Sequence, residues 1–130
     1  MSITAYLLGL QHIGLPTSDV EKTKAFYESL GFSCMYETLW EGHPLRFFIL
    51  NGLVIEVYYV EKSAFTDGSW DHIALDVSDI EKTLEEVHSL GYKELEQGIQ
   101  SMPVFDHGVR YFTIRGPNGE KVEFNQKIRK

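Results

Sequence analysis

Apolar and polar positions along this chain follow two periods, and the order of the periods is itself repeated. "HIGLPTSDVEKTKAFYESLGF" starts at residue 12 and "HIALDVSDIEKTLEEVHSLGY" at residue 72. In each, alternation typical of a half-buried strand gives way to an apolar stripe of helical spacing. Val20, Thr23, Tyr27 and Leu30 form the first stripe; Ile80, Leu84, Val87 and Leu90 form the second. The spacing predicts two helices of about three turns. Ser18 with Glu21, and Ser78 with Glu81, read as capping boxes at the helix starts. Gly31 and Gly91 read as the left-handed residues that close them. At an offset of 60, eleven of the twenty residues from 12 to 31 equal their partners. The start and stop signals are copied with the letters, so an internal duplication explains the match.

Strands flank each helix. "GLQHIGL" and "WDHIALDV" precede the two helices; "FSCMYETLW", "LRFFIL" and "LVIEVYYV" follow the first. After the second come a weaker strand around Tyr92 to Leu95, then "VRYFTI" and "EKVEFNQ". The last two strands of each half join through "LNG" and "RGPNG", both rich in turn residues. The expected fold is α+β. Two duplicated βαβββ modules, at 7–60 and 69–127 within a single domain of residues 1–130, form a curved mixed sheet or half-barrel with the helices outside. "EKSAFTDGS", residues 61 to 69, is the join. Strand alternation assigns faces. Ile13, Leu15, Ile73, Leu75, Val77, Ile55, Val57, Tyr59, Val122 and Phe124 belong with the helices. His12, Gly14, Glu56, His72, Ala74 and Glu123 point the other way.

Composition narrows the function. The chain of 130 residues is 43% hydrophobic and 24% charged, with a net charge of −7. That acidic balance argues against nucleic acid or an anionic membrane as partner. No run is long enough to span a bilayer, and "MSITAYLLGL" lacks the basic start of a secretory signal. The single cysteine, Cys34, excludes an internal disulfide and fits a cytoplasmic location.

The face opposite the helices carries the chemistry. A lone histidine on a strand is more often structural than a ligand, and a lone glutamate is usually solvated. Here two of each share one parity in four strands. Glu56 and Glu123 lie in strongly apolar strands, where an unpaired buried carboxylate costs several kcal/mol. If the sheets curl together, His12, Glu56, His72 and Glu123 form a cluster that a divalent cation satisfies.

At these residues the sequence resembles the vicinal oxygen chelate superfamily, and within it bacterial glyoxalase I. The likeness runs from about Leu8 to Asn125. It is carried by "HIGLPTSDVEKTKAFYESLGF", "LVIEVYY", "DHIALDVSDIEKTLEEVHSLGY" and "FTIRGPNGEKVEFNQ", with His–Glu–His–Glu in chain order. The resemblance implies His12, Glu56, His72 and Glu123 as metal ligands. A substrate with adjacent oxygens would complete a six-coordinate site, and the metal would spread the charge of an enediolate over both oxygens. Glu123 is then the main base and Glu56 its partner in returning the proton. Nickel or cobalt suits mixed nitrogen and oxygen ligation; zinc, iron and manganese stay open.

The implied reaction is isomerisation of a hemithioacetal of methylglyoxal. Members that use glutathione often carry a basic residue four after the first His and a polar one four after the first Glu; this chain has Pro16 and Val60. Another thiol, or a different vicinal-oxygen substrate such as a sugar derivative or a phosphorylated compound acted on by an epimerase or lyase, therefore stays in play. So does a metal-free sequestering protein of the bleomycin-resistance kind. In "MPVFDHGVRYF", Phe105 is a candidate to cover a small-molecule substrate and His107 or Asp106 to touch it, with Arg110 as a candidate anion contact; Arg46 and Arg115 share that role, a solvated strand residue being the simpler reading of each arginine. A plain turn at "DHG" is the simpler reading of that loop. Trp40 and Trp70 read as core or pocket wall, with the core the simpler assignment. Family members of this length generally form homodimers, often with metal sites shared between subunits; a homodimer is expected here, with the sites either within one chain or between chains.

Overall fold

The computed structural model describes residues 3–6 and 8–130. Met1, Ser2 and Leu7, the first residue of the expected first module, lie outside the described residues. After a short 3-10 turn at Ile3–Ala5 come β1 (Ile13–Thr17), α1 (Val20–Ser29), β2 (Ser33–Trp40), β3 (His43–Leu50) and β4 (Leu53–Tyr59). Then follow β5 (His72–Asp76), α2 (Ile80–Ser89), β6 (Gln100–Met102), β7 (Val109–Arg115) and β8 (Lys121–Lys127). The chain divides into two compact units, Met1–Ser63 and Ala64–Lys130. Each holds one helix and one open four-stranded mixed sheet, ordered β1-β4-β3-β2 and β5-β8-β7-β6. The βαβββ duplication is thus the architecture of the protein.

Connectivity follows from the pattern. β1 and β4 run parallel because the helix carries the chain across, while the short turns join β3 to β4 and β7 to β8 antiparallel. Each helix covers the face that alternation assigned to it. In the first unit Val20, Phe26, Tyr27, Phe48, Ile55 and Val57 are buried together with the Thr17 and Thr23 hydroxyls, which bond each other at 3.0 Å. In the second, Ile80, Val87, Phe112, Ile114, Val122 and Phe124 are buried, with Phe112 stacked on Phe124 at 5.0 Å.

Two local expectations are corrected. The N-caps are Asp19 and Asp79, one residue beyond the serines; their carboxylates accept from the Lys22 and Lys82 amides at 3.0 and 3.1 Å. Glu21 and Glu81 do not turn back to close a box. They pair with arginines of the sheet, Glu21 with Arg46 at 3.5 Å and Glu81 with Arg110 at 2.8 Å. The strand expected at Tyr92 to Leu95 is displaced to β6. Leu95 donates to Thr113 O at 2.8 Å, but the Glu96 carboxylate then takes the Thr113 amide at 2.9 Å. A side chain thus occupies the next ladder position, and the chain turns out through Gly98 (φ +84°) before pairing resumes.

The helix ends are as read. Gly31 and Gly91 hold φ of 104° and 92°. The paired bonds Gly31 N to Glu28 O and Phe32 N to Tyr27 O recur as Gly91 N to His88 O and Tyr92 N to Val87 O. Trp40 and Trp70 are not core residues: they are 65% and 96% exposed. Trp40 ends an edge strand and Trp70 precedes β5, so neither reaches a helix-covered face.

Candidate functional site

Each unit brings one histidine to one glutamate on the face away from its helix. In the first, His12 lies just before β1 and Glu56 at the middle of β4, beside Gly14 in the parallel register. A Cβ at Gly14 would meet Tyr58 Cε1 at 3.4 Å, so a larger residue would crowd the space over Glu56. His12 Nε2 stands 3.5 Å from Glu56 Oε1. In the second, His72 opens β5 and Glu123 sits in β8 beside Ala74; His72 Nε2 is likewise 3.5 Å from Glu123 Oε1. Among the described residues no group of three or more His, Cys, Asp or Glu gathers around one point that an ion could occupy. Each pair offers two donors.

The other ring nitrogen shows what the pairs are suited to. His12 Nδ1 lies 2.9 Å from Gln11 Oε1, and His72 Nδ1 lies 2.9 Å from Asp71 Oδ2. With the proton on Nδ1, toward that acceptor, the Nε2 lone pair of the neutral imidazole faces the carboxylate oxygen. Two electron-rich atoms in that position call for a proton or a cation between them. Donors about 2.1 Å from one ion stand about 3 Å apart at right angles and about 3.4 Å apart at the tetrahedral angle, so 3.5 Å is close to the separation of adjacent ligands. Metal-binding histidines commonly have the second nitrogen fixed in this way. The donor set thus fits a divalent cation.

The surroundings of the two pairs differ. His12 meets the edge of Phe47, with ring centroids 5.6 Å apart, and Tyr36 lies beside Phe47. Around His72 the neighbours are polar. Asn125 donates to Glu123 Oε2 at 2.9 Å, and the Glu123 side chain is 16% exposed against 26% for Glu56. Lys121 Nζ lies 3.2 Å from Asp71 Oδ1 and 3.3 Å from Asp67 Oδ2, and Arg115 donates to Asp67 Oδ1 at 2.9 Å. His72, then Lys121, hold the Asp71 carboxyl below its ordinary value, and Arg115 does the same for Asp67. Lys121 is raised, chiefly by Asp71.

A cleft of about 430 Å³ opens over this polar half. His72, Glu123 and Asn125 line one part of it; Leu95, Met102 and Val104 form an apolar part. Tyr111 and Thr113 of β7 also line it. Sequence reading missed these two and Asn125, although alternation could have found them: Asn125 is two residues from Glu123, and Thr113 is its cross-strand partner. The residues proposed for the substrate lie elsewhere. Phe105 (φ +60°) and His107 are exposed in the turn between β6 and β7, where Lys127 Nζ sits 4.5 Å from the Phe105 ring centroid. Arg110 points to the helix side, where Glu81 holds it, as Glu21 holds Arg46. No helix among the described residues is long and apolar enough to cross a membrane.

Comparison with known proteins places this arrangement. The protein YwkD of Bacillus subtilis (strain 168) is 32% identical over 111 residues, covering 75% of this chain and 78% of YwkD. The fosfomycin resistance protein FosX from Listeria monocytogenes, solved with Mn(II) and sulfate, superposes with a TM-score of 0.74 at 20% identity, covering 94% of each chain. A glyoxalase family protein from Enterococcus faecalis gives 0.74 at 19% identity, over 92% of this chain and 98% of that one. The family model described as Glyoxalase/Bleomycin resistance protein/Dioxygenase superfamily matches residues 9–124, from before His12 to beyond Glu123. Because the match runs from before β1 into β8, the chain belongs to this superfamily, the vicinal oxygen chelate proteins.

Proposed function

We propose that this protein is a metal-dependent isomerase of the glyoxalase I type, moving a proton between adjacent carbons of a vicinal-oxygen substrate such as a thiol hemithioacetal of methylglyoxal. One observation carries the reading: in each half an imidazole Nε2, its partner nitrogen tied to an acceptor, faces a glutamate oxygen at 3.5 Å. His12, Glu56, His72 and Glu123 are the proposed ligands, two from each unit, brought together within one chain or across a homodimer. A divalent cation there supplies Lewis acidity to the substrate's two adjacent oxygens.

The chain's own groups move the proton. Glu123 is the proposed base, because Asn125 fixes one carboxylate oxygen and leaves the other toward the cleft. Glu56 returns the proton to the neighbouring carbon. Nickel and cobalt suit the mixed donors, and the Mn(II) held by FosX makes manganese the next ion to test. Pro16 and Val60 favour a substrate other than the glutathione adduct, since neither side chain can pair with a carboxylate. An epimerase or lyase acting on another vicinal-oxygen compound is the second reading, and it rests on those two residues.

The test is metal stoichiometry followed by turnover. Chelator-stripped protein is titrated with Ni(II), Co(II) and Mn(II), and each form is assayed on hemithioacetals of glutathione and of smaller thiols. Stoichiometric binding with turnover of a small-thiol adduct is expected. Binding without turnover of any hemithioacetal turns the reading to the epimerase class. Failure to bind any of the three ions overturns it in favour of a sequestering protein.

A further inference from the structure

The second half carries an anchored charge chain that the first half lacks. Arg115 donates through Nη1 to Asp67 Oδ1 at 2.9 Å and to Gly119 O at 2.7 Å, which fixes it at the start of the β7–β8 turn. Asp67 and Asp71 hold Lys121 Nζ between them, at 3.3 and 3.2 Å. Asp71 Oδ2, which Lys121 also reaches at 3.4 Å, lies 2.9 Å from His72 Nδ1. At the corresponding positions the first half has Gln11 for Asp71 (offset 60), Val54 for Lys121 (offset 67) and Ile49 for Arg115, since Ile49 faces Val54 across the strands as Arg115 faces Lys121. Gln11 is therefore a neutral acceptor on a flexible side chain, with no cation at the matching strand position to steady it.

A carboxylate is the stronger acceptor for an imidazole N–H, and its orientation here is fixed by Lys121, which donates to both of its oxygens. We infer that Asp71, anchored by Lys121, Asp67 and Arg115, is a positioning residue that locks His72 in the Nδ1–H form and presents its Nε2 to the Glu123 carboxylate. Since histidine without such a partner prefers its proton on Nε2, loss of Asp71 turns a donor N–H toward the site in place of a lone pair. The purpose of the lock rests on the metal reading proposed above; the lock itself does not. His72 is thereby the more firmly prepared of the two histidines.

Long-range ¹H–¹⁵N correlation on metal-free protein labelled at histidine, at a pH where the imidazoles are neutral, reads the lock directly. Wild type should show His72 as the Nδ1–H form; Asp71→Ala should move it to the Nε2–H form, and Lys121→Met, which leaves Asp71 in place but unanchored, should give a mixture. Asp71→Asn keeps an acceptor and should retain the tautomer, which guards against a fold defect in the alanine variant. Mn(II) affinity, measured by calorimetry, should fall about 10- to 100-fold in Asp71→Ala and by less in Gln11→Ala. A wild-type His72 in the Nε2–H form, or one unmoved by Asp71→Ala, overturns the inference, as do equal losses of affinity in the two alanine variants. Absence of Mn(II) binding in wild type with the tautomer locked overturns the metal reading alone.

Discussion

Gln11 and Asp71 hold the same place in two copies of one module, and what surrounds them has diverged along with them. Around the first copy are rings: Phe47 edge-on to His12, Tyr36 beside it, Tyr58 next to Gly14. Around the second are charges and amides: Asp71, Lys121, Asp67, and Asn125 on Glu123. The frame beneath has hardly changed. Cap, helix closure, helix-to-sheet ion pair and His–Glu spacing are common to both. Duplication preserves what the backbone needs. The outward face is free to specialise, because a side chain there does not have to fit under a helix.

The largest expected break between the copies is catalytic. Under the proposed function, replacing Glu123 by Gln should lower kcat by about 10²- to 10⁴-fold, and Glu56→Gln should cost less. Equal losses would remove the distinction between base and partner. The cores, by contrast, should respond alike. Phe48→Ala and Phe112→Ala each empty a fully buried site, and each should cost about 3–5 kcal/mol in urea unfolding. A strongly unequal pair would show that one unit leans on the other for its stability.

Smaller effects sharpen the picture at the helix starts. Asp19→Ala and Asp79→Ala should each cost about 0.5–2 kcal/mol, whereas Ser78→Ala should stay within about 0.5 kcal/mol; the reverse ranking would restore the capping box. The smallest effect belongs to the second copy alone. His88 Nε2 lies 2.7 Å from Glu94 Oε1 and is the chief reason that the Glu94 carboxyl sits below its ordinary value. A lowered carboxyl stabilises the fold above its unfolded value, about 4.3, and that support is lost as pH falls through the folded value. Glu94→Gln should therefore lower the thermal midpoint slightly near neutrality and converge with wild type in stronger acid.

Much of this was legible in the letters, for identifiable reasons. Alternation by two assigns a face, and that is enough to set Glu56 with His12 and Glu123 with His72 on the sides away from the helices. Glycine in a left-handed closing position is nearly obligatory, so Gly31 and Gly91 marked the helix ends without error. The starts were misread by one residue because "SD" offers two good caps side by side, and an arginine two strands away claimed the glutamate that would have decided between them. Arg110 was misleading for the same reason: its partner Glu81 is close in space and 29 residues away in sequence. Nor does alternation measure how a strand ends, and the Glu96 side chain that interrupts the ladder before β6 has no local signature. The proposed convergence of the two pairs on one ion depends on assembly, which no strand period records.

The outer strand of the first sheet has a practical consequence. β2 runs eight residues with β3 as its neighbour, and Tyr36, Leu39 and Trp40 are exposed along it, whereas the corresponding β6 has three residues. A long outer strand of this kind is a template on which stray chains can polymerise. The register slip between Cys34 and Tyr36, where Met35 is the extra residue, bends that template, and Glu37 adds a charge to it. Shortening the strand by deleting Met35 would straighten the edge and make concentrated solutions of the protein prone to fibrous precipitation.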